Sequence, residues 1–333
     1  MTRLVLVAAL LVAADSSAPS PLPLPGGDGG IGFDDLKFSP ELQRVLVPAG
    51  RTGRLDLVDP ATRSVEVVEG FSRSASRDRG HGEGATSADA GAGFVFAIDR
   101  TSRTLVAVDP RARRVVASTK LDGAPDYVRW VEPTREVWVT EPARESIETI
   151  RFRGGATPTL TRTGRISVTA GPESLVVDAA HGRAYTNTFK DATVAIDVPG
   201  HAVTARWPNG CRGARGIALD AGRGWVFVGC DEGKAVALDA SHGGKTIGTA
   251  KTGDGVDSIA YSPQLSHLYV PAADSATLSV IAVGEHGQLE TLGSLPTAPE
   301  AHCAAADEHS NVYVCDPRNG RLLVARDPYP PSH

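Results

Sequence analysis

An all-β ring, a seven-bladed β-propeller of four-stranded blades around a central channel, is the fold this sequence predicts, and three observations predict it. The first is a repeat: a short hydrophobic tetrad headed by a large apolar residue recurs at Leu46, Phe96, Trp138, Tyr185, Phe227, Tyr269 and Tyr313, at intervals of 50, 42, 47, 42, 42 and 44 residues. A period of about 40 to 50 residues, each holding several strand-like runs, marks a propeller array. The second is the shared internal order of the repeats. A strand and a tight turn precede the tetrad, as in 216–228 and 258–270; a third strand then ends near an Asp, as in LDLVD at 55–59 and LVAVD at 105–109, and a fourth run follows, such as SVEVV at 64–68 and RVVAS at 114–118. The third is composition: 36 Gly and 23 Pro in 333 residues supply turns and break helices, which excludes a helical bundle.

Taken from the N-terminus, residues 1–3 form a minimal positive region and residues 4–14 (LVLVAALLVAA) an apolar run of signal-peptide length, too short to span a bilayer. A signal peptide over 1–18 is expected, with Ala14 suiting cleavage, and so is a periplasmic or secreted protein; a first strand of the domain is the competing reading. Residues 19–32 (PSPLPLPGGDGGIG) are a Pro/Gly linker or a closing strand. Their GGDGG has no strand before it and no helix after it, so it is not a phosphate loop. The propeller itself occupies 33–326. Its last unit stops after RLLVA at 321–325, so residues 19–30 are the candidate strand that closes the ring, followed by a tail at 327–333. Blade 2 departs from the repeat between Arg73 and Gly93, a Ser, Arg and Gly-rich stretch that obscures its first strand.

Charge narrows the partners. With 34 Lys and Arg against 39 Asp and Glu, net −5, the chain has no basic field for nucleic acid. No apolar run reaches the length of about 18 residues that a membrane span needs. A protein or a small ligand, bound to a monomer, is the expected partner.

Stepping twelve residues back from each tetrad reaches the start of the innermost strand. This gives Asp34, Gly84 with Glu83 and His81 beside it, Asp126, Glu173, Arg215 and Asp257, and an offset of eleven gives His302 in the last blade. Such ionisable residues would ring a channel mouth, the concave place where ligands bind. Two readings stand: solvated polar residues at a wet mouth, or a ligand site at Asp34, Glu83, Asp126, Glu173, Arg215, Asp257 and His302. Carboxylates with His can also hold a divalent cation, and in that case Glu83, Asp126, Asp257 and His302 would be ligands or bases. No GxSxG, HExxH, EF-hand or Walker pattern is present. Arg73, Arg77 and Arg79 sit among acids in a polar loop, and Trp130, Trp138, Trp207 and Trp225 read as blade-interface core.

The tetrads Tyr269-Val-Pro-Ala, Tyr313-Val-Cys-Asp, Phe227-Val-Gly-Cys and Tyr185-Thr-Asn-Thr resemble degenerate YVTN repeats. The stretch 224–263, with FVGC and GDGVDSIAYSP, is similar to bacterial YncE-type YVTN propellers over about residues 33–326. The resemblance implies an exported propeller and leaves function open, because the fold hosts unrelated activities. Two classes are carried: a non-enzymatic binding or scaffold module using the channel-mouth face, and a metal-assisted lactonase- or lyase-like enzyme. Two disulfides are expected within blades. Cys303 falls opposite Cys315 on one hairpin, and Cys211 and Cys230 lie at the mouth end of another. Loops joining fourth to first and second to third strands share that face, so binding is expected there and not at tight turns such as 220–224.

Overall fold

The computed structural model describes residues 18–74 and 83–332. Seven four-stranded antiparallel sheets form the ring. In chain order six of them span 37–73, 85–120, 128–167, 176–208, 214–251 and 260–296, and the seventh joins 304–326 to Ser20–Pro23. The segment up to residue 17, where a signal peptide is expected, and Arg77, Arg79 and His81 of the blade 2 stretch lie outside the described residues. No described helix is long and apolar enough to cross a membrane.

Burial explains the strand sequences. The middle strands, such as Trp225–Cys230 (WVFVGC), are buried along their whole length because a neighbouring blade covers each face. The outermost strands, such as Lys245–Lys251 (KTIGTAK), alternate toward solvent. Seven core clusters result, one in each seam between blades. Trp130, Trp138, Trp207 and Trp225 each sit in a different seam, as the sequence suggests. In blades 2 to 6 the pairing of third and fourth strands slips by one residue at equivalent places, Ala107/Val108, Thr149/Ile150, Ala195/Ile196, Ala237/Leu238 and Val280/Ile281. Such bulges increase the twist, so each repeat carries its own device for the propeller shape.

The ring closes through its N-terminal segment. Ser20–Pro23 pairs antiparallel with the last strand, Ser20 opposite Val324 and Pro23 opposite Arg321. Proline is tolerated there because this strand is the outer edge of the sheet, where missing donors face no partner. Leu22 and Leu24 bury themselves with Tyr313 and Val324 in the seam between blades 7 and 1. Blade 2 does have its first strand, Ala85–Gly91, hidden in the sequence by its small residues (ATSADAG).

Candidate ligand site at the channel mouth

The chain enters the channel seven times, each time just before or within a first strand. Asp34, Asp126, Glu173, Arg215, Asp257 and His302 all line one cavity of about 760 Å³ at the mouth. The residues directly after them, Asp35, Tyr127, Ser174 and Ser258, line a second space of about 190 Å³ deeper in the channel, together with Arg129. Arg129 donates to Asp35 at 2.7 Å and to the Leu175 carbonyl at 2.9 Å, tying three blades across the channel.

Glu83 is the exception and corrects the expected ring, because it does not line the cavity. Blade 2 enters the channel at Gly84, whose φ is +69° and where a Cβ would lie 2.1 Å from the Gly50 carbonyl oxygen. The backbone of blade 2 is pressed against blade 1, and no side chain fits between them. One carboxylate oxygen of Glu83 is instead buried without a partner among the described residues.

Blade 2 supplies Arg100 instead, from the loop between its second and third strands. Arg100 Nη2 contacts Asp34 Oδ2 at 2.8 Å and also reaches Asp126 Oδ1, while its Nε donates to the Pro125 carbonyl at 2.9 Å. One guanidinium thus bridges two of the ring carboxylates. The signal that finds it is the same repeat shifted the other way. Four residues after the tetrad heads stand Arg100, Pro142, Phe189, Asp231, Ala273 and Pro317, and all six line the cavity. They form a second tier above the first-strand ring.

The site is acidic. Asp34, Asp126, Glu173, Asp231, Asp257, Asp274 and Glu300 face three cationic groups, Arg100, Arg215 and His302. Arg215 pairs with Glu173 at 3.2 Å and lies 5.2 Å over the Phe189 ring. Burial, and then the charge of Asp34, push Asp126 up to about 8 against the pull of Arg100. Burial, and then Asp126 and Asp257, push Glu173 up to about 9 despite Arg215. Both therefore carry protons at neutral pH when the cavity holds no further cation.

His302 is only 6% exposed, with Nδ1 2.6 Å from the Glu300 carbonyl oxygen and Nε2 2.9 Å from that of Phe33. Carbonyls only accept, so both nitrogens donate and the ring is an imidazolium. Burial opposes this charge, but the Cys315 sulfur and Asp257 outweigh it and raise the pKa to about 9. A histidine with no free lone pair is not a metal ligand. With Asp126 held by Arg100 and Glu83 outside the cavity, the set Glu83, Asp126, Asp257 and His302 does not fit a divalent ion.

The cysteines divide. Cys211 and Cys230 form a disulfide with a Cα separation of 5.4 Å, fastening the segment before the first strand of blade 5 to the end of its second. Cys303 and Cys315 have the expected register, with the Cys315 N–H on the Cys303 carbonyl at 3.1 Å, but they are free thiols. The reason is local: the backbone N–H groups of Cys303 and His302 both donate to Cys315 Sγ, at 3.1 and 3.4 Å, and hold it as an acceptor. Two thiols per denatured, unreduced chain are expected by colorimetric thiol assay; none or four would contradict this division. Reduction of the Cys211–Cys230 bridge, which spans 19 residues, should cost about 3 kcal/mol.

No family model and no curated protein matches the chain. Solved structures do. A chain of the mitotic checkpoint complex is similar at TM-score 0.76 and 13% identity, over 98% of this chain and 99% of that one. A chain of Kuenenia stuttgartiensis hydrazine synthase gives 0.72 and 12%, over 90% and 96%. The propeller domain of Myceliophteria thermophila Cps50 (Swd1) gives 0.70 and 10%, over 90% and 98%. At these identities the likeness is one of fold, and it places this chain among the seven-bladed β-propellers.

Proposed function

We propose that the chain is an exported, non-enzymatic YVTN-type propeller of the YncE kind. In this reading it binds at its channel mouth a ligand presenting an ammonium or guanidinium group, either a basic side chain of a protein partner or a small polyamine. One observation carries the ligand chemistry: a cup of about 760 Å³ in which seven carboxyl groups meet three cations. An added cation there exchanges with the protons on Asp126 and Glu173 and gains their charges in a poorly solvated space. Family membership is supported by the tetrads and their spacing. Export is supported by the apolar run at 4–14 and by a disulfide, which forms in oxidising compartments. A protein partner is supported by the resemblance to a chain of a multi-protein complex.

The test is thermal shift with a panel of amines, from methylammonium to spermidine, and with Lys- or Arg-ended peptides, set against carboxylate analogues. Cationic probes should raise Tm and anionic ones should not. A shift with the anions alone would overturn the ligand class. Export has its own check, since N-terminal sequencing of protein from its host should begin after residue 14; a retained Met1 on cytoplasmic material would refute it.

A further inference from the structure

Blade 7 holds a pair of sulfurs that the mouth cavity does not use. Cys303, directly before the first strand of blade 7, lies opposite Cys315 on the second, both fully buried and both free. Their Sγ atoms and a ring nitrogen of His302 all lie within 4.8 Å of one another. Cys315 Sγ already accepts two backbone N–H groups, and the His302 imidazolium stands beside it. A sulfur surrounded by donors and a cation is arranged as a thiolate.

We propose that Cys303 and Cys315 bind one thiophilic monovalent d10 cation, with Cu(I) as its test ion, in a two-coordinate bis-thiolate beneath the cavity floor. Paired thiolates select soft ions. Two metal–sulfur bonds of about 2.3 Å reach at most about 4.6 Å, so sulfurs that lie within 4.8 Å of each other can share one ion, with the S–metal–S unit bending where they stand closer. Zinc is disfavoured because it wants four ligands. Both nitrogens of His302 are committed as donors to carbonyls, so the sulfurs alone offer lone pairs.

Charge and protons balance. The incoming cation forms two metal–sulfur bonds, the Cys303 S–H proton leaves to solvent through the cavity, and no electron is transferred. A monovalent ion with two thiolates has net charge −1, which the His302 imidazolium neutralises without giving up either of its carbonyl contacts. The two backbone N–H groups on Cys315 become the outer contacts that orient the ligand sulfur. His302 separates this pair from the acidic mouth, whose carboxylates concentrate cations above it.

The experiment titrates the full chain, reduced and free of oxygen, with Cu(I) in competition with bicinchoninate, and records the copper X-ray absorption spectrum of the product. One ion per chain and two sulfur neighbours are expected. Cys303→Ser and Cys315→Ser should each abolish binding. His302→Gln, which removes the counter-charge together with at least one of the two carbonyl contacts, should keep the stoichiometry and weaken binding roughly 10- to 100-fold. If a serine variant does not fold, the sulfur count in the wild-type spectrum decides. The proposal is overturned by absence of stoichiometric binding, by binding that survives both serine replacements in folded protein, by a copper shell of nitrogen and oxygen, or by isolation from the host with Cys303 and Cys315 joined as a disulfide.

Discussion

Between about pH 6 and about pH 9 the ligand-free chain is expected to lose thermal stability, its Tm falling by on the order of 10 °C. Four buried carboxyls hold their protons in the folded state. Burial pushes Asp56 up to about 7 against Arg54, and Glu141 up to about 7 with help from Glu148. At the mouth, burial and neighbouring carboxylates push Asp126 up to about 8 and Glu173 up to about 9. In the unfolded chain all four titrate near their ordinary values of about 4. Above that pH the folded state binds more protons than the unfolded one, so stability declines as pH rises and the loss is complete once the folded values are passed. His302, raised to about 9, acts in the same direction above its ordinary 6.5. Carboxylates held low, such as Asp220 and Asp327, are ionised throughout this window in both states and leave the slope unchanged. Calorimetry across the range measures it. Asp56 is the cleanest probe, since it is fully buried, outside the mouth, and neither of its oxygens has a partner among the described residues. Asp56→Asn should flatten the lower part of the decline and raise Tm at about pH 9. A Tm that stays level or rises toward pH 9 would show that these carboxyls are ionised in the fold.

The second large effect lies in binding. Glu173→Gln combined with Asp257→Asn removes the Asp257 carboxylate and the charge that Glu173 gains when a cation displaces its proton, while keeping the shapes of both side chains. It should weaken a cationic probe by roughly a hundredfold or more, about 3 kcal/mol, with Tm at neutral pH little changed. Glu173 already carries a proton there, so the neutral amide resembles its ligand-free state. Arg111→Ala, in the exposed turn on the opposite face, should leave binding unchanged. If Arg111→Ala, or replacements in the 220–224 turn, impair binding more than the double variant does, the binding face has been assigned to the wrong end of the channel.

What the sequence makes legible follows from which forces are local. The repeat is local, since each blade buries its strands against the next with the same residues at the same offsets, so the tetrads alone locate all seven blades. The first-strand ring is legible for the same reason, and six of its seven named residues share one cavity. Glu83 fails because the contact that decides it, Gly84 against Gly50, is made between blades and rests on the absence of side chains. Arg100 is missed because its significance lies in bridging Asp34 and Asp126, residues that are 66 and 26 positions away in the sequence. The blade 7 cysteines show the limit of register reasoning. Opposition across a ladder is readable from the turn, but two backbone N–H groups claim the Cys315 sulfur, and that depends on how 302–303 enters the channel.

The most direct test of the acidic cup is calorimetric titration of the ligand-free chain with the best cationic probe at about pH 7.5, in two buffers of different ionisation enthalpy. A cation that enters between Asp126 and Glu173 displaces their protons. The observed heat should therefore differ between the buffers by an amount corresponding to one to two protons released per ligand, and the difference should disappear in Glu173→Gln combined with Asp126→Asn. Binding with the same heat in both buffers, or binding that the double variant leaves intact, would contradict a cation-binding mouth.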